Sequence, residues 1–120
     1  MNNYILEKRT TESIWYDIDC TNILDTNEII TSITSITSDQ SGLVFTAPAI
    51  NNAPVTFPNE IVAAVGKVIS VYISQGIVPS GSTNQIYTIR PIFQTSEDNI
   101  RESTVLLNVT NIPFQTGRVI

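Results

Sequence analysis

The segment from residue 85 to residue 110, QIYTIRPIFQTSEDNIRESTVLLNVT, constrains the fold more than any other part of this chain. Apolar side chains recur at alternate positions in both of its halves, namely Tyr87, Ile89, Phe93, Val105, Leu107 and Val109. Successive side chains of a strand point to opposite faces, so each half offers one apolar face for burial. The polar residues 96–99 favour a turn, because Asp and Asn side chains bond their own backbone and tolerate positive φ angles. The segment therefore predicts a β-hairpin that packs against a second layer.

The composition extends this prediction to the whole chain. Its 120 residues include 19 Ile, 10 Val and 15 Thr, and β-branched side chains pack well on a pleated sheet but lose rotamer freedom in a helix. A chain of this length is expected to form one domain. Seven segments show strand patterns between turn signals: 13–19, 29–37, 42–47, 54–57, 61–74, 86–94 and 103–110. Short, closely spaced strands of this kind predict an all-β, two-sheet antiparallel sandwich.

Three of these strands have unusual sequences. In 61–74, alternation places Ile69, Val71 and Ile73 inward and Ser70, Tyr72 and Ser74 outward. Pro91 lies inside the strand with the clearest pattern, which indicates an edge position or a bulge, since proline cannot donate to a ladder. Residues 30–38 repeat Ile-Thr-Ser three times. Three copies are too few for a β-solenoid, but a period of three disagrees with the period of two of a regular strand and indicates a bulge.

Both ends of the chain lack an alternating pattern. Residues 1–12 are expected to form an arm outside the sheet and residues 111–120 a tail, on either side of a sandwich that spans 13–110. Segments without a core of their own can gain order on a neighbouring subunit. The apolar side chains in these two segments are therefore the predicted partner contacts: Tyr4, Ile5, Leu6, Phe114, Val119 and Ile120.

Few residues offer catalytic chemistry. The chain has no His and one Cys, which removes the usual general base, the commonest metal ligand and any internal disulfide. Asp17 and Asp19 share a strand face, and such a pair can serve acid–base chemistry or a hard cation, although solvated or turn-capping carboxylates are the simpler interpretation. Cys20 has no His to activate it and is expected to pack in the interior. The sequence thus predicts a non-enzymatic protein with no cofactor and no metal site.

The charge and the first residues narrow the class of partner. The net charge is −5 at pH 7 and the six basic residues are scattered, so we expect no nucleic-acid binding. The nearly apolar stretch 61–73 is too short to span a bilayer and contains Lys67, which argues against a membrane protein. The first ten residues lack the basic start and apolar core of a signal peptide. Of Trp15 and Tyr16, one is expected to anchor the core and the other to face outward. An outward aromatic ring could instead serve as a platform on which a carbohydrate stacks, which is an alternative interpretation.

Two blocks of the sequence carry a combined pattern of residues. The first block runs from residue 8 to residue 32 and has its pattern positions at Lys8, Tyr16, Ile18, Asp19, Leu24, Glu28, Ile30 and Ser32. The second block has a glycine-containing loop, a strand that begins with tyrosine, Thr-Ser before a tight turn, and a last apolar strand, with positions at Gly76, Gly81, Tyr87, Thr95, Ser96, Glu102, Val105, Leu107 and Val109. Together the two blocks resemble a family of small tailed-phage proteins with an immunoglobulin-like fold. This chain departs from the family at Cys20, where Trp is common, at Asp98, where Gly is common, and in its longer loop 75–85.

This resemblance implies an immunoglobulin-like sandwich with a structural role in a virion that assembles in the bacterial cytoplasm. The expected function is a capsid decoration, or cement, protein that binds the assembled head through its terminal segments. The major capsid protein or other virion proteins would be its partners, with several copies forming a homo-oligomer in the particle. A ring subunit or fibre accessory of the neck or tail is the structural alternative. A module that binds a cell-surface glycan through Trp15, Tyr72 and the loop 75–85 is an alternative of a different class.

Overall fold

The computed structural model describes residues 5–111, and their regular structure is almost entirely β-strand. The ten strands are β1 (Leu6–Arg9), β2 (Ile14–Asp19), β3 (Ile30–Ser38), β4 (Leu43–Ile50), β5 (Val55–Thr56), β6 (Val62–Ala63), β7 (Val68–Gln75), β8 (Asn84–Thr95), β9 (Ile100–Glu102) and β10 (Val105–Thr110). One 3₁₀ turn (Thr21–Ile23) follows β2. The predicted all-β class is confirmed.

The strands form two main sheets and a small ribbon. The larger sheet has the order β1-β10-β8-β3, and β9 pairs with β8 on the same edge as β10. The second sheet has the order β2-β7-β4, and β5 pairs with β6 in a separate two-stranded ribbon. All of these pairs are antiparallel except β1 with β10, which is parallel.

The core lies between the inner faces of the two main sheets. The larger sheet contributes fully buried alternate residues that include Tyr87, Ile89, Phe93, Leu107 and Val109. The second sheet contributes Tyr16, Ile18, Ile69, Val71 and Ile73. The period of two assigned all of these residues to the interior except Tyr16 and Ile18, whose strand face the sequence left open. The sandwich architecture follows from two one-sided apolar sheets covering each other.

The predicted hairpin is present, with an interruption in its second strand. The Thr95 N–H donates to the Asn99 carbonyl at 2.9 Å, and Asp98 takes a positive φ of 61° in the turn. The chain then pairs with β8 twice, first as β9 and again as β10. The residues between the two strands, 103 and 104, lie outside the ladder.

Pro91 lies opposite this interruption. We predicted an edge position or a bulge. The edge position is wrong, because Pro91 is buried in β8, which has strands on both sides. A bulge does lie next to it, since the β3–β8 register shifts between Ile33 and Ser35. The Pro91 carbonyl accepts from the Ser103 N–H at 3.0 Å. The N–H that proline lacks would point to the same side as its carbonyl. That side is the gap between β9 and β10, so the missing donor disrupts no ladder bond.

The Ile-Thr-Ser repeat forms a bulged strand, as its period indicated. The register between β3 and β8 shifts twice, between Ile30 and Ser32 and again between Ile33 and Ser35. It pairs the three isoleucines with alternate residues of β8: Ile30 with Thr95, Ile33 with Phe93, and Ile36 with Pro91. Each bulge turns a step of three on β3 into a step of two on β8. All three isoleucines therefore pack on or beside the core.

Two predicted boundaries are wrong. Residues 61–74 form two strands, β6 and β7, because the chain turns between them at Gly66, whose φ is +83°. The Asn51 carboxamide oxygen holds this turn by accepting from the N–H groups of Gly66, Lys67 and Val68 at 2.9–3.1 Å. Side-chain capping of several backbone donors is a tertiary interaction, and a local strand pattern does not reveal it.

The predicted N-terminal arm is also partly wrong. Leu6–Arg9 is a strand of the larger sheet, in parallel register with Leu107 to Thr110. Lys8 is only 2% exposed, and its ammonium group donates to the Arg9 carbonyl at 2.7 Å. Burial of Lys8 lowers its pKa, against a smaller opposing effect of Glu12. The sandwich therefore begins at residue 6 rather than residue 13. The sequence pattern does not reveal this strand, because a lysine occupies one of its inward positions.

Tyr87 fixes the connection between β7 and β8. Its ring is in the core, and its hydroxyl accepts from the Ile77 N–H at 2.8 Å and donates to the Ile77 carbonyl at 2.9 Å. Gly42 packs close by, and a Cβ at that position would lie 3.0 Å from the Tyr87 hydroxyl. One side chain thus joins the core to a loop ten residues upstream.

We expect Tyr87→Phe to lower the free energy of unfolding by about 1–3 kcal/mol, because it leaves both backbone groups of Ile77 without this partner. Urea denaturation of the two proteins measures the difference. Tyr72→Phe is the matched control, since Tyr72 lies on the outer face of the second sheet and packs on Trp15. A cost as large for the control as for Tyr87→Phe would contradict this role.

Candidate interaction surface

The predicted partner-contact residues lie at the start of the sheet or beyond the described chain. Leu6 opens β1 and packs against the core, while Ile5 precedes it and is exposed. Tyr4, Phe114, Val119 and Ile120 lie outside the described residues. Leu6 is therefore part of the sandwich, and Ile5 marks where the N-terminal segment meets it.

A half-open groove of about 820 Å³ lies beside Leu6. It forms where β1 and β2, the outermost strands of their sheets, border each other, and where the β5–β6 ribbon and the segment between β9 and β10 add walls. The Tyr16 hydroxyl holds β1 and β2 together by donating to the Glu7 carbonyl. Apolar side chains make up much of the groove surface: Leu6, Ile23, Phe57, Ile61, Val62 and Leu106.

This groove exposes large apolar side chains to solvent. Ile61 is 51% exposed and Val62 is 59% exposed, and Ile23 and Leu106 are also exposed. A single exposed apolar residue is ordinary on a protein surface, but several that share one concave surface mark an interaction site. The groove is therefore the candidate functional site of the described chain.

Asp17 and Asp19 line the polar side of the groove, each with a hydroxyl partner. The Asp17 carboxylate accepts from the Ser70 hydroxyl across the β2–β7 pair. Asp19 accepts from both the N–H and the hydroxyl of Thr21, at 3.0 and 2.6 Å, at the start of the 3₁₀ turn. The simpler interpretation, turn-capping and solvated carboxylates, is confirmed for Asp19. Both carboxylates are exposed at the groove and give it a negative side.

A buried carboxylate, Glu28, lies elsewhere and ties the β2–β3 connection to the hairpin. The side chain of Glu28 is fully buried, and its two oxygens accept four hydrogen bonds. The donors are the Thr95 hydroxyl, the Asn99 amide at 2.9 Å, the Arg101 guanidinium at 2.9 Å and the Asp25 N–H at 3.0 Å. Burial raises the pKa of Glu28, but these hydrogen bonds outweigh it and lower the pKa to about 2.

The surroundings of Glu28 also bring three carboxylates together. One carboxylate oxygen from each of Asp25, Glu28 and Glu97 lies within 4.8 Å of the other two. A hydrogen bond with Asp25, followed by desolvation and repulsion from Asp25 and Glu28, raises the pKa of Glu97. Arg101 supplies a positive charge from within the chain, since its guanidinium pairs with Glu28 and lies 3.6 Å from Asp25. This cluster is thus a structural ion network that holds the β2–β3 connection against the hairpin.

Cys20 packs in the interior, as predicted. It is 1% exposed and belongs to the core. Burial, with the nearby Asp19 charge, raises the pKa of the thiol to about 12, against a weaker opposing effect of Ser103. A thiol that stays protonated at neutral pH is a poor nucleophile.

Of Trp15 and Tyr16, one is buried and the other is exposed, as expected. Tyr16 is in the core, whereas Trp15 is 56% exposed on the outer face of the second sheet. The Trp15 ring packs on Tyr72 of the neighbouring strand, with centroids 5.2 Å apart and a tilt of 46°. Asp17 and Ser70 lie two positions along the same strands. The exposed aromatic pair therefore sits beside polar groups on one face.

The sequence predictions missed the groove and the Glu28 network. The groove combines residues from positions 6 to 106, so no local spacing in the sequence predicts it. The network had one signal: Glu28, Thr95 and Ser96 were already among the positions of the phage-family resemblance. The Ser96 hydroxyl accepts from the Ile29 N–H at 3.0 Å, next to the Glu28–Thr95 contact. The two sequence blocks are therefore joined in space.

Comparisons with known proteins give this chain no family. A scan against protein-family models and a search of curated proteins each found no match. In the described part of the chain, no helix is long and apolar enough to cross a bilayer.

Proposed function

We propose that this chain is a non-enzymatic structural protein of a tailed-phage virion, and that it decorates the assembled head. Its main support is the exposed apolar groove beside the N-terminal strand. In this proposal the groove and the terminal segments attach the sandwich to a larger assembly that includes the major capsid protein. An apolar surface rimmed by polar groups suits contact with protein.

The topology supports the immunoglobulin-like part of this proposal. The orders β2-β7-β4 and β3-β8-β10 correspond to strands B-E-D and C-F-G of an immunoglobulin sandwich. Tyr87 lies near the start of the strand that corresponds to F, and its hydroxyl bonds the backbone upstream. That arrangement resembles the tyrosine corner of such domains. Several positions of the phage resemblance thus act as framework, and the groove, which none but Ile18, Asp19 and Val105 of them line, is left for partner recognition.

A change in the groove tests this proposal. We expect Ile61→Asp to weaken binding to purified particles that lack this chain by about tenfold or more, because the contact would bury an unpaired carboxylate. Ile100→Asp is the matched control: Ile100 is 70% exposed on β9 and does not line the groove. Co-sedimentation with particles measures both affinities. Equal binding by the two variants would remove the groove from the contact.

The second candidate function is binding of a cell-surface glycan at the outer face of the second sheet. The Trp15–Tyr72 pair favours it, since sugar rings stack on aromatic faces while hydroxyl and carboxylate groups bond their rims. If this face binds glycans, Trp15→Ala should abolish hits on a glycan array without changing the melting temperature by more than about 3 °C. An array without hits for the unchanged protein would count against this function.

A further inference from the structure

The groove beside β1 has a shape and a charge that restrict what can fill it. Much of its lining is apolar, with Leu6 and Leu106 from the larger sheet and Ile61 from the turn of the β5–β6 ribbon. Its charged groups are the carboxylates of Asp17 and Asp19, and no Lys or Arg is among the described residues that line it. A fitting occupant is therefore an extended peptide with several apolar side chains and at least one basic side chain.

One segment of this chain has this composition. Residues 112–120, IPFQTGRVI, carry Ile112, Phe114, Val119 and Ile120 together with Arg118. No acidic residue lies in the segment. Nine extended residues span up to about 30 Å. Both its apolar content and its charge complement the groove.

The position of the end of the described chain indicates that the segment fills the groove of a second copy rather than its own groove. Leu106 lines the groove, whereas Asn111 follows the opposite end of β10, where its N–H donates to the Thr83 carbonyl at 3.0 Å. Five residue steps along the strand separate the two positions, or about 17 Å. The chain therefore passes its own groove before the segment begins. A neighbouring molecule can present the segment to the groove without a reversal of direction.

We infer that the groove binds residues 112–120 of a second copy of this chain, with Arg118 at Asp17 and Asp19 and the apolar side chains on its apolar lining. This inference rests on the proposed assembly role of the groove and names its partner. When the segment of each copy enters the groove of the next rather than being exchanged reciprocally, the contact is head-to-tail and links identical subunits without a two-fold axis. Arrays of copies on a particle surface can be built in this way.

A labelled synthetic peptide of residues 111–120, titrated into the full-length protein, tests the inference by fluorescence anisotropy. We expect saturable binding with one site per chain. The Arg118→Glu peptide should bind at least about tenfold more weakly, and so should the unchanged peptide to the Ile61→Asp protein. The Ile100→Asp protein should bind like the unchanged one. No saturable binding at millimolar peptide, or equal binding of the charge-reversed peptide, would overturn the inference.

Sedimentation velocity of the full-length protein provides the second measurement. We expect self-association that grows with concentration and is lost in the full-length Arg118→Glu variant. A monomer at all concentrations would overturn the inference, since it would leave the segment in its own groove or unbound. Neither measurement uses phage particles. Failure here is therefore distinguishable from failure of the virion function, which particle binding tests by itself.

Discussion

Replacing Glu28 with glutamine is expected to lower the melting temperature by on the order of 10 °C. Four donors converge on the two carboxylate oxygens of Glu28. Glutamine replaces one of these oxygens with an amide NH2 group, which would face hydrogen-bond donors in either orientation of the side-chain amide. Arg101 would also lose its buried counter-charge. Differential scanning calorimetry or thermal circular dichroism measures the shift.

Acid should affect the unchanged protein through the same residue. The pKa of Glu28 falls from its ordinary 4.5 to about 2 on folding. The folded state therefore binds this proton less tightly than the unfolded state does. The stability that Glu28 contributes is fully present above about pH 4.5 and is lost as the pH falls towards about 2. Glu28→Gln should flatten the pH dependence of the melting temperature in this window.

The neighbouring Glu97→Gln variant is the control for this effect. Glu97 belongs to the same group of carboxylates but is exposed. We expect its melting temperature at pH 7 to stay within about 3 °C of the unchanged protein. If Glu28→Gln were equally mild, the four hydrogen bonds would not be what holds the β2–β3 connection to the hairpin.

The second large effect is expected from Phe93→Ala, which should lower the free energy of unfolding by about 3–5 kcal/mol. Phe93 is fully buried in the central strand β8 and lies opposite Ile33 of the bulged strand. Its removal leaves a cavity between the two sheets that a rigid ladder cannot fill by collapse. Guanidinium denaturation, with the m-value compared between variants, measures the cost.

Ile86→Ala is the control on the same strand. Ile86 is 40% exposed on the outward face of β8, so its truncation should cost less than about 1 kcal/mol. Similar costs at Ile86 and Phe93 would contradict the register of the hairpin. A slip by one residue would exchange the two faces of the strand.

Local pattern was sufficient to predict the class of fold and most of its core. Tyr87, Ile89 and Phe93 are buried where a period of two placed them. The three-residue repeat of β3 also predicted its irregularity, because no single regular strand can bury isoleucines at every third position. These features depend on neighbours in sequence, so a sequence shows them directly.

Long-range pairing was not accessible in this way. Strand β1 pairs with β10, about a hundred residues away, and its buried Lys8 conceals its apolar face. Pro91 is tolerated in a central strand only because the opposing strand is interrupted. The groove likewise depends on how two sheet edges and a ribbon meet. Each of these features is decided by tertiary contacts that no local window contains.

Quantitative mass spectrometry of purified phage particles tests the proposed virion function most directly. We expect the chain to be present on the order of hundreds of copies per particle, as symmetric decoration of a head requires. About six or twelve copies would contradict the head location and indicate the neck or tail instead. Absence from the particle would contradict the virion function altogether.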